Sequence, residues 1–220
     1  MIPQNLVLDP QLQLWIHLGG WKGCGLQELS AKGRQIGIYG PTVGSDGGHF
    51  DGVNDYINCG ATPFELVGNE TPFTVLIYAR CFSDIGTFFL CGANQEAANG
   101  FFSVTEETKI IRWMYGTKTS TTTKALVNLD NACMIGFSYS LAGIDYGRAH
   151  TTVNGHFYAS QQPNENRDVS TISFLALGGY NNHGEIIAEI EADILDLMIF
   201  NRHMSVIEIA KIYERMRKLR

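Results

Sequence analysis

The sequence has no long hydrophobic run and no excess of positive charge. No stretch of its 220 residues approaches the ~18 uninterrupted apolar residues that a membrane-spanning helix requires. Lysine and arginine number 16 against 22 aspartates and glutamates, which gives a net charge of −6. Nucleic-acid binding depends on cationic contacts to phosphate, and an acidic chain supplies few of them. These absences exclude a membrane protein built of helices and argue against a nucleic-acid partner.

Cysteines are few and unpatterned. The five cysteines are an odd number, and no two of them form a Cys-x-x-Cys pair. Several lie among apolar neighbours, as in Phe89-Leu90-Cys91. We interpret them as small buried side chains of a protein made in a reducing compartment. The first residues carry no basic cluster followed by an apolar core, so we expect no secretory signal.

Catalytic motifs are missing as well. The chain contains no HExxH, GxSxG or GxxxxGK[ST] pattern, and its six histidines lack zinc-ligand spacing. The nearest approach to a glycanase motif is Glu189-Ile190-Glu191-Ala192-Asp193, whose acidic side chains would share one face of a strand. We interpret this run as the solvent-exposed face of a structural strand and predict that the protein is not an enzyme, with a glycoside hydrolase as the less favoured alternative.

Short extended runs separated by turn residues fill most of the chain. Phe73–Arg80 alternates, with Phe73, Val75 and Ile77 on one face and Thr74, Leu76 and Tyr78 on the other. Many strands at such spacing predict an all-β sandwich or barrel. The other predicted strands are 87–91, 101–105, 109–115, 132–140, 150–153, 172–177 and 189–200.

Three local patterns refine this prediction. Asn154-Gly155 favours a type I′ turn, because both residues tolerate positive φ, and predicts a hairpin around it. Ser205 and Glu208 form a capping-box pattern at the start of a predicted helix over about 205–218. The polar, β-branched run Thr117–Lys124 is typical of an exposed loop or an edge strand.

Several segments, in order along the chain, resemble the concanavalin A-like lectin/glucanase superfamily, in its laminin-G-like or pentraxin-like branch. The similar segments are Phe50–Ile57, Phe73–Arg80, Val153-Asn154-Gly155, Leu177-Gly178-Gly179 and Ile199–Ser205 with the Glu208–Tyr213 stretch after it. The resemblance implies an antiparallel two-sheet jelly-roll sandwich with a short C-terminal α-helix. We therefore expect one laminin-G-like domain over residues 1–220.

The superfamily covers lectins, glycanases, receptor modules and virion proteins, so the fold does not fix the function. We predict a non-enzymatic structural or interaction module, most plausibly a bacteriophage virion protein such as a capsid decoration or a fibre or tail component. Its partners would be capsid or other virion proteins, or further copies of itself, and it would be made in the host cytoplasm. We expect no nucleic-acid or membrane partner.

A carbohydrate-binding lectin is the alternative that the sequence leaves open. The candidate glycan loop consists of Tyr180, Asn181, Asn182 and His183, which combine an aromatic face with hydrogen-bonding side chains. We expect no cofactor. Members of the related branches often bind calcium, and oxygens are available at Ser45, Asp46, Asp51 and Asp55, but they match no recognised ligand pattern.

Overall fold

The computed structural model describes most of the chain. The backbone is described for residues 4–19, 26–69, 71–81, 86–92, 100–106, 110–116, 120–126, 131–140, 148–161, 174–182, 185–187 and 189–220. Side chains are described for 6–19, 26–69, 71–80, 131–140, 149–158, 160, 174–179, 185–186 and 189–220. No helix within these ranges is both long and apolar enough to cross a membrane.

The described residues form strands β1 to β18 and three helices. The helices are α1 Gln4–Val7, α2 Pro63–Val67 and α3 Val206–Leu219. The strands are β1 Leu12–His17, β2 Gln27–Glu28, β3 Gly37–Tyr39, β4 Thr42–Gly44, β5 Gly47–Asp51, β6 Tyr56–Asn58, β7 Phe73–Cys81, β8 Gly86–Gly92, β9 Gly100–Glu106, β10 Ile110–Gly116, β11 Ser120–Leu126, β12 Cys133–Ser140, β13 Arg148–Val153, β14 His156–Gln161, β15 Ala176–Leu177, β16 Tyr180–Asn182, β17 Glu185–Ile187 and β18 Glu191–Phe200.

The strands form two sheets. Sheet A has the order β14-β13-β12-β7-β18-β1-β2, with β5 also paired to β18 and β4 to β5. Sheet B has the order β11-β10-β9-β8-β15-β6-β3, with β16 also paired to β8 and β17 to β16. Described pairings are antiparallel except that between β16 and β8. The predicted all-β sandwich is confirmed, and β11 ends its sheet as the run Thr117–Lys124 led us to expect.

Sheet A is apolar on both faces, which gives the protein two hydrophobic clusters. The inner face packs against sheet B through side chains such as Val75, Ile77 and Leu197. The outer face packs against α3 and α1 through Trp15, Leu76 and other large side chains. The alternation predicted for Phe73–Arg80 is therefore confirmed, and both of its faces are largely buried.

The predicted hairpin and the predicted helix start are confirmed. Asn154 and Gly155 adopt φ values of 51° and 76°, as a type I′ turn requires. Ser205 caps α3: its hydroxyl accepts from the Glu208 backbone N–H at 3.3 Å, and the Glu208 carboxylate accepts from the Ser205 N–H at 2.9 Å. These bonds satisfy N–H groups that a helix start leaves without intrahelical partners.

The sequence analysis predicted only the C-terminal helix, and the structure adds the short helices α1 and α2. The start of α2 has the same capping signature as α3, with Thr62 and Glu65 exchanging hydrogen bonds and Pro63 at the first helical position. A run of five residues has too little periodicity to register as a helix. Its capping box was nevertheless readable as Thr-Pro-Phe-Glu.

Candidate functional site

Where its side chains are described, the outer face of sheet A carries two clefts, one beside each end of α3. The charged cleft, of about 470 Å³, lies at the C-terminal end of the helix and is lined by Ser45, Asp46, Arg80, Asn131, Ala132, Asp193, Leu195 and Arg220. The histidine cleft, of about 380 Å³, lies at the N-terminal end and is lined by Ser140, Ala149, His150, Phe157, Ser160, His203 and Val206. Helix α3 therefore separates two sites on one surface.

Asp193 accepts hydrogen bonds from Arg80 and His49 at one side of the charged cleft. The Arg80 guanidinium donates to Asp193 Oδ2 through Nε, at 3.0 Å, and through Nη2. The Nδ1–H of His49 donates to Asp193 Oδ1 at 2.9 Å. Arg80 is 41% exposed at the rim, whereas Asp193 is largely covered. The carboxylate therefore fixes the guanidinium while leaving part of it at the surface.

Asp196 binds Arg220, the second arginine of the cleft lining, from the buried side of the cleft. It is fully buried and accepts at Oδ1 from the Trp15 Nε1–H at 2.8 Å and from the His17 Nδ1–H at 2.9 Å. Its Oδ2 accepts from Nη2 of Arg220. The Arg220 guanidinium also lies 4.1 Å from the ring centroid of Tyr78, within the range of a cation–π contact. A buried carboxylate with three donors is a fully satisfied group, so this part of the cleft is rigid.

A β-bulge brings both carboxylates to the same face of the sheet. In β18, Asp193 pairs with Arg80 and Asp196 pairs with Tyr78, so the register shifts by one residue between Ile194 and Asp196. Strict alternation would place residues 193 and 196 on opposite faces. Leu195 is the extra residue, and the bulge re-aims the strand as bulges near functional sites commonly do.

The prediction of a solvated acidic face is therefore wrong for Asp193. Glu191 is exposed as expected, but Asp193 is only 7% exposed, because Arg80 from β7 and His49 from β5 cover it. Glu189 lies before the first residue of β18. In this run, the Glu191 carboxylate is therefore exposed, whereas the Asp193 carboxylate is paired with Arg80 and hydrogen-bonded to His49.

Charges along the cleft lining are balanced. Arg80 and Arg220 face the carboxylates of Asp46 and Asp193. Burial lowers the pKa of Arg220 from its usual range, and nearby Asp196 opposes that effect. Arginine stays protonated at neutral pH despite such shifts. The cleft consequently offers fixed donors and acceptors side by side without a strong net charge.

The histidine cleft is built differently, from aromatic and neutral groups. The rings of His150 and His203 meet edge to face, with centroids 5.2 Å apart and an interplanar angle of 82°. Burial, and then the neighbouring His203, lower the pKa of His150 to about 4. Burial also lowers the pKa of His203. Both imidazoles are neutral at pH 7, and Phe157 stands beside them with 56% of its surface exposed.

A hydroxyl cluster fixes His203 in place. The backbone N–H of Met204 donates to Thr74 Oγ1 at 3.0 Å and to Ser138 Oγ at 2.9 Å. Thr74 in turn donates to the Arg202 carbonyl at 2.8 Å. These contacts tie the segment before α3 to β7 and β12, so the histidine cleft has a defined wall.

The glycan loop predicted from the sequence is not tested by side-chain geometry. Tyr180, Asn181 and Asn182 form β16, whose backbone pairs with β8 and β17. Their side chains and the whole of His183 lie outside the described residues. The loop stays a prediction, separate from the two clefts described above.

Two of the residues considered for calcium, Asp51 and Asp55, accept hydrogen bonds within a turn. Asp55 Oδ2 accepts from the Asp51 N–H at 2.8 Å, and Asp51 Oδ1 accepts from the Val53 N–H at 2.9 Å. Across the part of the chain with described side chains, no three histidine, cysteine, aspartate or glutamate residues converge as metal ligands.

Known structures share this fold at low sequence identity. A Ruminococcus gnavus sialidase CBM40 bound to α2,3-sialyllactose matches with a TM-score of 0.53 and 13% identity, over 65% of this chain and 82% of the other. The botulinum neurotoxin serotype G binding domain matches with a TM-score of 0.69 and 16% identity, over 93% and 51%. The binding domain of Paraclostridial Mosquitocidal Protein 1 gives 0.65 and 12%, over 94% and 52%.

These similarities establish the all-β sandwich and no closer relationship. The chain spans about half the length of the two toxin domains. No protein-family model and no curated protein matches the sequence. The resemblance to the concanavalin A-like superfamily therefore stays a prediction beyond its confirmed sandwich fold.

Neither cleft was predicted from the sequence. Arg80 was predicted only as the last residue of a strand, and Arg220 lies beyond the predicted helix of about 205–218. In the structure, β13 pairs His150 with Ser160, and the His150 ring contacts His203. The usable signal was the presence of two carboxylates, Asp193 and Asp196, inside an otherwise apolar strand, since buried carboxylates require partners.

Proposed function

We propose that the protein is a non-enzymatic carbohydrate-binding module whose glycan lies in the charged cleft. The observation that carries this proposal is the pair of arginines, Arg80 and Arg220, each held by a covered aspartate and both lining one cleft. Sugar hydroxyls both donate and accept hydrogen bonds, so they require donors and acceptors close together. Guanidinium groups donate, carboxylates accept, and Asn131 does both.

The fold neighbours support this class of function. One of them is described with a bound sialyllactose, and the two toxin structures are described as binding domains. They favour the lectin alternative over the structural virion role that the sequence analysis placed first. Location in a virion, with capsid or tail proteins as partners, stays a prediction, because these neighbours bear on the fold and not on the source.

The balance of charge makes the cleft selective for neutral sugars. A ligand carboxylate would gain from the two arginines but would approach the carboxylates of Asp46 and Asp193, with Asp196 beneath. Like-charge contacts of this kind disfavour binding. We therefore expect neutral oligosaccharides to bind more tightly than their sialylated forms, in contrast to the ligand of the sialidase domain.

A glycan array followed by calorimetry tests the proposal. We expect neutral oligosaccharides among the bound glycans, and a loss of about tenfold in affinity for Asn131→Ala, which removes one hydrogen-bonding side chain from the exposed lining. The matched control is Arg217→Ala, because Arg217 lies on the exposed side of α3 and pairs with Glu214. A protein that binds no glycan on the array, or an unchanged affinity in Asn131→Ala, would overturn the proposal.

A further inference from the structure

The histidine cleft contains a buried polar atom whose requirement for a partner is unmet. Nε2 of His150 is buried and makes no hydrogen bond with any described residue. Buried nitrogens are nearly always paired, because leaving one unpaired forfeits the hydrogen bond that water would supply. His150 lines the open cleft, so a small rotation of its ring would expose this covered nitrogen to a ligand that enters the cleft.

The other lining groups define the chemistry of such a ligand. Phe157 presents an exposed aromatic face, and Ala149 and Val206 add apolar surface. The hydroxyls of Ser140 and Ser160 supply hydrogen bonds, and each neutral imidazole offers one donor and one acceptor. No lining side chain is charged when the histidines are neutral. A small ligand with an apolar face and several hydroxyls, but no charge, fits this set.

A metal ion fits less well. Neutral imidazoles are good ligands for transition metals, but protein zinc sites use at least three protein ligands. In the described part of the chain, His150 and His203 are joined by no third histidine, cysteine, aspartate or glutamate in ligand geometry. The exposed Phe157 would also contribute nothing to an ion, whereas it can stack against the C–H face of a sugar ring.

We infer that the histidine cleft is a second sugar subsite, which takes one neutral pyranose with its C–H face on Phe157 and a hydroxyl on Nε2 of His150. The inference takes its ligand class from the proposed function but rests on separate residues. The cleft volume of about 380 Å³ lies in the range of small-ligand sites. Helix α3 separates this subsite from the charged cleft, so the protein presents two sugar sites on one surface.

Histidine ring NMR signals provide the direct test. The full chain is titrated with methyl β-glucoside, methyl β-galactoside and methyl α-mannoside, and the ring resonances of His150 and His203 are followed. We expect at least one of these glycosides to shift both sets of signals in the wild type and in Tyr158→Ala, but not in Phe157→Ala. Tyr158 is the matched control, because it is the next residue of β14 and is also exposed.

The outcomes separate this inference from the proposed function. If Asn131→Ala loses binding on the array but keeps the histidine shifts, the two sites are independent and the inference stands. If no glycoside shifts the histidine signals, or if the shifts persist in Phe157→Ala, the inference is overturned whatever the charged cleft binds. His150→Gln gives a second check, since it removes the ring nitrogen while Phe157 stays in place and should weaken binding at least fivefold.

Discussion

The two clefts lie on the same face of sheet A and touch the same helix. Charged side chains line one of them, whereas the side chains that line the other are uncharged at pH 7. In the charged cleft, Asp196 is fully buried and accepts hydrogen bonds from Trp15, His17 and the cationic Arg220. In the histidine cleft, the titratable groups are kept neutral by burial. Burying a charged group requires an opposite charge or several hydrogen bonds, whereas a buried imidazole can lose its proton and then requires hydrogen-bond partners only.

This contrast predicts that the largest stability effect comes from the charged cleft. Asp196→Asn leaves the Arg220 guanidinium, which is only 13% exposed, without its counter-charge. Breaking a buried pair by removing one partner typically costs about 3–5 kcal/mol, and we expect a loss of that size in the free energy of unfolding at pH 7. Urea denaturation measures it.

Asp46→Asn is the control for that experiment. Asp46 lines the same cleft but is exposed, so its neutralisation should change the free energy of unfolding by less than about 0.5 kcal/mol. Equal effects of the two substitutions would contradict the distinction between a buried anchor and an exposed lining carboxylate.

A somewhat smaller effect is expected where the hairpin wall of the histidine cleft meets α3. A Cβ atom on Gly155 would lie 2.6 Å from Ala210 Cα, and the φ of 76° is itself unfavourable for alanine. Gly155→Ala should therefore lower the free energy of unfolding by about 2–4 kcal/mol, from backbone strain plus overlap. Thermal and urea unfolding both report this loss.

Gly33→Ala separates the two contributions. Gly33 has a similar φ of 61°, but no atom lies within 4 Å of its added Cβ. This variant should lose only the backbone contribution, about 1–2 kcal/mol. If both glycine variants lose the same amount, the hairpin does not press against α3 as the structure indicates.

The effect that is smallest at neutral pH is a dependence of stability on pH that belongs to the histidine cleft. The pKa of His150 is about 4 in the folded protein and 6.5 ordinarily, so the unfolded chain takes up the proton first as the pH falls. The stability that this group contributes is complete above pH 6.5 and is lost as the pH falls from 6.5 to 4. One group changes the free energy of unfolding by at most about 1.4 kcal/mol per pH unit.

His150→Gln should reduce the slope of this profile between pH 6.5 and 4 in urea denaturation, and His203, whose pKa burial also lowers, should keep part of it. The pKa of Glu208 is lowered from 4.5 to about 2, chiefly by the Ser205 backbone N–H. Glu208 therefore makes stability depend on pH mainly below pH 4.5, and most of the range from 6.5 to 4 reports on the histidines. His156→Gln, at an exposed histidine of the same hairpin, should keep the wild-type profile. An unchanged slope in His150→Gln would show that the cleft does not hold this imidazole neutral.

The sequence predicted the elements of the fold well because they depend on local signals. Alternation in Phe73–Arg80, the Asn154-Gly155 turn and the Ser205–Glu208 capping box are each determined within a few residues, and all three are present. Several strand boundaries were also predicted to within one or two residues, as for 132–140 against Cys133–Ser140.

The clefts could not be predicted, because they depend on distant contacts and on one irregularity. Trp15 and Asp196 are separated by 181 positions in the chain, and no local pattern links them. The bulge at Leu195 then changes which face carries Asp196, so strict alternation leads to the wrong surface. The role of His203 likewise depends on how α3 packs on the sheet.

The bulge in β18 also has a consequence for chain length. Because Leu195 is the extra residue, removing it would leave Asp193, Ile194 and Asp196 alternating on the faces they already occupy. A homologue lacking one residue here would keep every later side chain of the strand in register. In an alignment that single-residue gap would look disruptive, although the pairing on either side of it would be preserved. A chain one residue shorter at position 195 would therefore keep Asp193 and Asp196 on the cleft side of the sheet but lose the Leu195 side chain from the cleft lining.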